Sequence, residues 1–354
     1  MTRIALLTYS SKPRGGVVHT LHLAEALTRA GAEVTVWSLG RGGDSAFFRR
    51  VDPAVRISMV PFEARDDESV GDRILRSIQV LGEAFSPADY DVVHAQDCIS
   101  ANAVGACIRT IHHLDTFTTP ALAACHEKAV TDPYARICVS AAVAEEVRRG
   151  WGLEPTVIAN GVDSAPFDAA AASGESTWRD TLGQYVLAVG GIEPRKGSID
   201  LLESFALLNR RDLALVFAGG ETLFDYREYR REFDSRATEL GIEPIVLGTV
   251  DNDDLPHLVA QASVLPFFST KEGFGLAAME ALAAGTPVVA RDLPVLREVF
   301  GDAVTYASEP AEMAEELAHA IDVGHDADGG RALARSLTWD DAARRHLEFY
   351  RSYY

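Results

Sequence analysis

The sequence predicts an α/β protein built from two doubly wound, parallel-sheet domains of similar size. Strand-like and helix-like segments alternate along almost all of the 354 residues, which is typical of parallel sheets covered by helices on both faces. The alternation pauses once, over residues 164–180, and then starts again. A chain of this length is long enough for two domains. We therefore expect two Rossmann-like domains facing each other across a cleft, with ligands at the carboxyl ends of the strands.

The first half alternates short apolar strands with amphipathic helices. RIALLTY opens the chain as a strand, a glycine turn at Gly15 and Gly16 follows, and VVHTLHLAEALTRAG is predicted as a helix that ends at Gly31. Further strands are predicted at EVTVWSL (33–39), DVVHA (91–95), TIHH (110–113), RICVS (136–140) and TVIAN (156–160). Residues 1–163 are therefore predicted to form an N-terminal domain.

The second half repeats the alternation after a break. Residues 164–180 are rich in Ala, Ser and Gly and lack apolar periodicity, so we interpret them as a linker. The domain over residues 181–336 has predicted strands at QYVLAVGG (184–191), LALVFAGG (213–220), EPIVLG (243–248), SVLPFF (263–268) and PVVA (287–290). Residues 337–354 are predicted as a C-terminal helix capped by Thr338, which could pack back on the N-terminal domain.

Composition and charge exclude several classes of partner. The formal net charge is −19, which argues against nucleic acid because phosphate contacts need clustered Lys and Arg. It also argues against tight docking on an anionic membrane face, although a local patch leaves peripheral contact open. No apolar run approaches the roughly 20 residues of a spanning helix, and the start of the chain does not resemble a signal peptide. Because the four cysteines lack CxxC spacing, we expect free thiols and a cytoplasmic protein.

The turn GGIEPRKG, residues 190–197, is predicted to bind a diphosphate. It follows a strand and opens a helix, so free N–H groups and the helix dipole attract anions there. Arg195 and Lys196 add two adjacent cations, and lysine is otherwise rare, with four in the whole chain. A solvated surface turn is the alternative interpretation. Neither GxGxxG after the first strand nor a P-loop motif is present, so the two common nucleotide signatures do not apply.

The stretch KEGFGLAAMEALAAGTPVVA, residues 271–290, carries two glutamates at a spacing that needs an explanation. In one continuous helix, Glu272 and Glu280 would lie roughly 80° and 12 Å apart, too far for one acid/base site. Gly273 and Gly275 instead predict that the helix starts between them, which lets a ligand approach backbone N–H groups. A ligand with hydroxyl groups on both sides of an anionic middle fits this arrangement. A helix cap beside an exposed glutamate is the alternative.

This stretch resembles the signature of retaining glycosyltransferases of the GT-B fold, family 4 (glycosyl transferase group 1). The specific parts are the EX7E spacing within EGFGLAAMEA and the GTPVVA that follows. The resemblance covers nearly the whole chain and includes the glycine loop, DVVHA, IANGVD and VGGIEPRKG in the family's order. It implies transfer of a hexose-type sugar from a nucleoside-diphosphate sugar to an unidentified acceptor, with retention of configuration and without a metal or another cofactor.

The resemblance also implies a role for each matching residue of the donor site. Arg195 and Lys196 would hold the donor diphosphate, Glu272 would contact the transferred sugar, and Glu280 would hold the ribose hydroxyls. Additional donor contacts are implied for Gly15, Gly16, Gly273, Phe274 and Gly275. The residues expected beside the nucleobase are Gly248, Thr249 and Val250.

The N-terminal domain is the expected acceptor side. A histidine at the end of TIHH, best matched by His112, is implied to contact the donor sugar near the reacting carbon, with His113 as the neighbouring register. The family's His-Asp pair is His-His-Leu-Asp here, so His113 or Asp115 would take the part of the aspartate. His19 comes one residue earlier than the family pattern and is expected to face the acceptor.

Two other functions share parts of this pattern. A sugar-nucleotide 2-epimerase-like enzyme has the same two-domain fold but needs acid/base groups at the sugar ring, and its pattern lacks the EGFGL-x3-E block. A non-catalytic sugar-nucleotide-binding protein would not need the cation pair, both glutamates and a candidate histidine together. Detection of a transferred sugar, an isomerised donor or neither would separate the three.

Metal sites have weaker support in the sequence. The run from Asp251 to Asp254 is similar to the metal-binding DxD of another transferase fold, but it directly precedes the helical pattern LPHLVAQA and is interpreted as its cap. The histidines and Cys125 match no known zinc spacing.

Overall fold

The computed structural model describes residues 1–65, 68–115, 117, 119–219 and 226–353. The chain divides into two compact units. The N-terminal unit comprises Met1–Gly161 and Leu337–Tyr354, and the C-terminal unit comprises Val162–Ser336. The C-terminal helix is therefore part of the N-terminal unit.

The described residues of the N-terminal unit form a sheet of seven strands, all paired in parallel. The strands are β1 (Arg3–Thr8), β2 (Glu33–Arg41), β3 (Arg56–Phe62), β4 (Val92–Ala95), β5 (Ile108–Ile111), β6 (Ala135–Cys138) and β7 (Thr156–Val157). Their order across the sheet is β3-β2-β1-β4-β5-β6-β7. The direction of progression reverses between β1 and β4, so the loops after these strands separate and leave a crevice, the switch point where such folds bind ligands.

Helices from both ends of the chain accompany this sheet. They are α1 (Gly15–Arg29), α2 (Val70–Ala84), α3 (Cys98–Val104), α4 (Pro120–Thr131), α5 (Ala141–Trp151) and α15 (Trp339–Tyr350). The predicted cap of the last helix is confirmed, because the Thr338 side chain accepts a hydrogen bond from the Asp341 backbone N–H. On the last helix, the buried Tyr350 hydroxyl lies 2.7 Å from Nδ1 of His94 on β4. A Cβ on Gly161 would lie 2.3 Å from the Trp339 nitrogen, so only glycine allows this close approach.

The described part of the C-terminal unit contains six strands that follow the same order. They are β8 (Gln184–Val189), β9 (Leu213–Ala218), β10 (Ile245–Gly248), β11 (Leu265–Phe267), β12 (Val288–Arg291) and β13 (Thr305–Ala307). Two three-stranded parallel sheets, β10-β9-β8 and β11-β12-β13, meet through a parallel bridge between Val186 and Val264. The switch point of this unit therefore lies between β8 and β11.

Helices in the C-terminal unit include the segment that was predicted as a linker. They are α6 (Ser164–Ser173), α7 (Thr177–Leu182), α8 (Ser198–Leu208), α9 (Arg227–Leu240), α10 (Leu255–Ala260), α11 (Leu276–Ala284), α12 (Pro294–Phe300), α13 (Pro310–Asp322) and α14 (Ala327–Ser336). Residues 164–180 are thus largely helical rather than a linker, because alanine favours helix and α6 buries Phe167 and Ala170. Across the described ranges, none of the helices has both the length and the apolar content needed to cross a bilayer.

Strand positions differ from prediction in two instructive ways. The strand predicted at 110–113 lies at Ile108–Ile111, so both histidines of TIHH follow the strand instead of ending it. The sequence analysis did not identify β3, which contains Pro61. That strand is at the edge of the sheet, where proline is tolerated because the missing N–H removes no ladder hydrogen bond on the open side.

Candidate active site

The predicted diphosphate turn follows β8, at the switch point of the C-terminal unit. Pro194–Lys196 form a 3-10 turn, and Gly197 joins it to α8 with a φ of 64°. A Cβ on Gly197 would lie 2.2 Å from the carbonyl oxygen of Phe268, so glycine lets this turn pack against the loop after β11. The two loops are also joined by a backbone hydrogen bond, in which Thr270 N–H donates to the Arg195 carbonyl oxygen at 2.8 Å.

Glu272 holds both cations of this turn. Lys196 Nζ lies 2.7 Å and Arg195 Nη1 3.1 Å from the same oxygen, Oε1, and the Glu272 side chain is 11% exposed. Ser269 Oγ donates to that oxygen at 3.0 Å, while Arg195 Nη2 reaches Glu193 Oε1 at 3.3 Å. The structure therefore brings together three residues that were predicted from separate motifs. It adds Glu193, which lies within the predicted turn, and Ser269, which lies two residues before Lys271; neither was predicted as a site residue.

The start of α11 separates the two glutamates of the EX7E motif, as predicted. The helix begins at Leu276, after Gly275 with a φ of 98°, so Glu272 lies on the loop and Glu280 in the second turn. A Cβ on Gly275 would lie 2.7 Å from a ring carbon of Phe300, so both space and backbone angle require glycine.

Glu280 has an unusual electrostatic environment. Burial, with a contribution from the negative charge of Asp163, raises the pKa of its carboxyl group to about 8. Within the described residues, no side chain or backbone group donates a hydrogen bond to this carboxyl. A partly buried carboxyl without protein donors is suited to accept hydrogen bonds from the hydroxyl groups of a ligand.

The other donor-side candidates lie on nearby loops of the C-terminal unit. Gly273 and Phe274 are buried within the loop that leads to α11. Gly248 ends β10 with a φ of 71°, and Thr249 after it is exposed. Since β8, β9 and β10 run parallel, the turn at Gly248–Val250 is on the same sheet edge as the turn after β8. Their contact with a nucleobase stays a prediction.

In the N-terminal unit, the glycine turn lies beside the candidate histidine. Gly15 and Gly16 form the first turn of α1, and a Cβ on Gly16 would lie 3.6 Å from Cδ2 of His112. Burial and the charge of Arg109 hold the pKa of His112 well below its ordinary value, so the ring is neutral. Its Nε2 is buried and has no hydrogen-bond partner within the described part of the chain, which leaves it able to bond a ligand hydroxyl.

His19 packs against His112. It is 1% exposed, and its ring packs edge-on against that of His112 with 4.7 Å between centroids. Its Nδ1 lies 2.9 Å from Oδ1 of Asn160, a residue that the sequence analysis treated only as part of a turn. His19 is therefore buried against His112 and Asn160, and its contact with an acceptor stays a prediction.

The remaining acceptor-side candidates are paired with each other. His113 Nε2 lies 3.2 Å from Asp115 Oδ1, and both side chains are at least 30% exposed. The structure thus places the two candidates for the family's aspartate in one loop after β5.

The acidic run before α10 differs from its predicted role. Asp254 precedes the helix, but its side chain makes no capping hydrogen bond. Its backbone carbonyl instead accepts from Leu258 N–H, the ordinary first bond of a helix. Among the described residues, no group of three or more potential metal ligands is gathered here or elsewhere.

Two family models match the chain one after the other. Residues 13–165 match Glycosyltransferase Family 4, and residues 177–323 match Glycosyl transferases group 1. The first match contains the glycine turn and His112, and the second contains the cation pair and both glutamates. Together they span more than four fifths of the chain.

Relatives and solved structures extend over the same length. The D-inositol 3-phosphate glycosyltransferase of Xylanimonas cellulosilytica is 29% identical, with 98% of this chain and 96% of the relative aligned. The phosphatidyl-myo-inositol mannosyltransferase of Mycolicibacterium smegmatis is 29% identical, with coverages of 88% and 82%.

Two solved structures share the fold. Anabaena Alr3699/HepE in complex with UDP and glucose has a TM-score of 0.74 at 20% identity, covering 99% of this chain and 100% of that one. Sucrose-phosphate synthase from Thermosynechococcus elongatus has a TM-score of 0.80 at 19% identity, covering 99% of both chains. The matched family models, the strand order and these neighbours together show that the chain belongs to the glycosyltransferases of the GT-B fold, family 4 and group 1 type.

Proposed function

We propose that this protein transfers a hexose-type sugar from a nucleoside-diphosphate sugar to an acceptor hydroxyl, with retention of anomeric configuration. The observation that carries the proposal is the contact of Arg195 and Lys196 with Glu272, at a switch point and beside the glycine-opened start of α11. Adjacent cations and free N–H groups suit a diphosphate. The complexes of Anabaena HepE with UDP and with UDP-glucose support a donor of this class.

The proposed reaction exchanges one bond at the anomeric carbon. The carbon–oxygen bond to the diphosphate breaks, and a bond to the acceptor oxygen forms on the same face of the sugar. The acceptor proton passes to a phosphate oxygen of the leaving diphosphate, so no separate protein base takes part. Negative charge develops on the leaving group, where Arg195 and Lys196 stabilise it electrostatically. We propose that this cation pair makes a metal or another cofactor unnecessary.

Each carboxylate has a distinct part in this proposal. A bound diphosphate would compete with Glu272 for both cations, which frees the carboxylate to accept a hydrogen bond from the transferred sugar. Glu280 would accept hydrogen bonds from the ribose hydroxyls, because no described protein group donates a hydrogen bond to its carboxyl. His112, neutral because of its lowered pKa, would offer Nε2 to a sugar hydroxyl near the reacting carbon.

The donor can be tested directly with the purified protein. Its melting temperature is measured with UDP, GDP, ADP, TDP and NAD, without added metal. A ligand at about 100 times its Kd stabilises the native state by about 2.7 kcal/mol, which raises the melting temperature by about 5–10 °C for units of this size. We expect one diphosphate to stand out. A flat response to all diphosphates, or a shift with NAD alone, would contradict the proposed donor site.

Retention needs a second measurement. The sugar form of the best nucleotide is incubated with candidate acceptors, and the anomeric configuration of the product is assigned by NMR from its one-bond and vicinal couplings. We expect the configuration of the donor to be kept. An inverted product would contradict the proposed stereochemistry but would leave the donor site intact, and an isomerised free donor would indicate the epimerase alternative.

A further inference from the structure

The switch point of the N-terminal unit has positive charge around an aromatic ring. Tyr9 directly follows β1, and its backbone N–H donates to Asp97 Oδ2 at 2.9 Å. Arg41, the last residue of β2, places its guanidinium carbon 5.0 Å from the centre of the Tyr9 ring. Arg14, just before α1, places its own at 5.9 Å. Two cations therefore lie against one tyrosine at the sheet edge where this fold binds ligands.

Arg41 is a charged, half-buried residue whose described hydrogen bonds go to uncharged groups. Its Nε donates to the Tyr9 carbonyl oxygen and its Nη2 to the Ser77 hydroxyl, each at 2.9 Å. No carboxylate of the described residues forms an ion pair with it. Burial and the charges of Arg73 and Arg14 lower its pKa to about 10, so it still carries its charge at neutral pH. Charges removed from water are normally paired.

Arg109 and Gln96 are more deeply buried than Arg41, and each has side-chain atoms without a described hydrogen-bond partner. Arg109 on β5 is 7% exposed, and its Nε and Nη1 have no hydrogen-bond partner among the described residues. The charge of Asp97 acts on both Arg109 and Arg41, but its oxygens accept from Tyr9 N–H and from the N–H and hydroxyl of Ser100. Gln96, the residue after β4, is 1% exposed, and both its amide atoms also have no described partner.

Two other poorly exposed arginines of the same unit are paired with carboxylates. Arg49 donates through both Nη atoms to the Glu25 carboxylate at 2.8 Å, and its side chain is 9% exposed. Arg76 donates through Nε and Nη2 to Glu68 at 2.6 and 2.7 Å. The fold can therefore supply ion-pair partners to its arginines, whereas Arg41 and Arg109 have no ion pair with a described carboxylate and share the nearby charge of Asp97.

We infer that this crevice of the N-terminal unit binds a phosphate group carried by the acceptor. Guanidinium groups match the oxygens of a phosphate in a bidentate manner, and the Gln96 amide and Tyr9 hydroxyl supply further donors. A phosphate brings about −1.5 to −2 charges at neutral pH, which compensates both Arg41 and Arg109. A neutral sugar would add no negative charge to that of Asp97, which acts on both cations. The inference rests on the proposed function, because it assigns the chemical class of that acceptor.

The test measures binding of phosphate-bearing and neutral compounds to the full chain. Calorimetric titrations use inorganic phosphate, D-inositol 3-phosphate and neutral inositol, each with and without the nucleotide that stabilises the protein best. Sedimentation with vesicles of phosphatidylinositol and of phosphatidylcholine distinguishes a lipid headgroup from a soluble phosphate. We expect phosphate-bearing compounds to bind and inositol to bind at least tenfold more weakly. Equal binding of inositol and its phosphate would overturn the inference.

The matched variants are Arg41→Gln and Arg149→Gln. Arg149 lies in the same unit, its side chain is 77% exposed and it pairs with Glu145, so its replacement removes the same charge from a different surface. We expect Arg41→Gln to weaken phosphate binding at least tenfold, Arg41→Lys to restore part of it, and Arg149→Gln to leave it unchanged.

The nucleotide response separates this inference from the proposed function. All three variants should keep the wild-type melting shift with nucleotide, because the donor site is in the other unit. Wild-type phosphate affinity in Arg41→Gln, with a normal nucleotide shift, would overturn the inference alone. Loss of the nucleotide shift in the wild-type protein would overturn the proposed donor site, whereas phosphate binding that depends on Arg41 would still support this crevice.

Discussion

The two units share one strand order but treat the charges at their switch points differently. Between β8 and β11, Arg195 and Lys196 share one oxygen of Glu272. Between β1 and β4, Arg41 and Arg109 have no ion-pair partner within the described residues. An internal carboxylate can stabilise cations until a ligand replaces it, whereas unpaired cations are stabilised by the ligand alone. The donor diphosphate should therefore compete with Glu272 for Arg195 and Lys196. The acceptor phosphate should instead neutralise the charges of Arg41 and Arg109.

The largest effect expected from this comparison is on turnover in Lys196→Ala. Loss of one group that stabilises charge on a leaving group costs about 10²–10³ in kcat. The Lys196 side chain is 22% exposed, so the fold should persist with a nearly unchanged melting temperature. Lys128→Ala, an exposed lysine on α4, is the control and should retain wild-type kcat. A melting temperature that falls while kcat survives would mean that Lys196 is structural.

Glu272→Gln separates two proposed effects of Glu272, its competition with the diphosphate for the cations and its contact with the transferred sugar. Removing the negative charge frees Arg195 and Lys196 for the diphosphate, so nucleoside diphosphate should bind several-fold more tightly. Transfer should nevertheless fall by about 10² or more if the carboxylate contacts the sugar. Calorimetric titration measures the Kd of the nucleoside diphosphate, and steady-state kinetics measure the rate of transfer. Weaker nucleotide binding in this variant would show that Glu272 organises the cations rather than competing for them.

Glycine-to-alanine variants compare the two ligand-facing turns. Gly275→Ala places a Cβ 2.7 Å from Phe300 at a φ of 98°, so we expect a loss of stability of about 1–3 kcal/mol. Gly16→Ala places its Cβ 3.6 Å from His112 in ordinary helical geometry, so stability should stay within about 1 kcal/mol of wild type. Urea denaturation of both variants measures the difference. Equal losses would indicate that the two turns have the same backbone constraint.

A pH dependence of stability is expected from Glu280. Its folded-state pKa of about 8 is above the unfolded value of 4.5, so the folded state binds the extra proton between these pH values. Stability from this group is therefore present at low pH and is lost as the pH rises towards 8, by at most about 1.4 kcal/mol per pH unit. The difference in unfolding free energy between wild type and Glu280→Gln, measured from pH 5 to 8, should show this slope. A difference that does not vary with pH would mean that Glu280 titrates normally.

Local sequence patterns predicted those parts of the site that single loops create. The two glycines around Phe274 are enough to place Glu272 outside the helix and Glu280 within it, because a φ of 98° at Gly275 is a local property. The adjacency of Arg195 and Lys196 is local as well. Their meeting with Glu272 depends on strand order, and it could be expected only through the resemblance to a known family.

The unpredicted features depend on contacts between distant segments. Arg41 and Arg109 are 68 positions apart, and each is an ordinary arginine in sequence until parallel strands bring both to the charge of Asp97. His112 was placed at the end of a strand that stops one residue earlier, at Ile111, since apolar length alone does not fix a strand end. The helices in residues 164–180 were missed because a short alanine-rich segment has helix propensity but little apolar pattern.

The return of α15 to the N-terminal unit has a consequence for biosynthesis. The first 161 residues leave the ribosome without the helix that supplies Tyr350 to His94 and Trp339 to the backbone at Gly161. The C-terminal unit, Val162–Ser336, is translated between the two segments of the N-terminal unit. Of the two units, the C-terminal one is continuous in sequence. The unit that is synthesised first is therefore completed last, and until then its helix α1 exposes the face that α15 will cover.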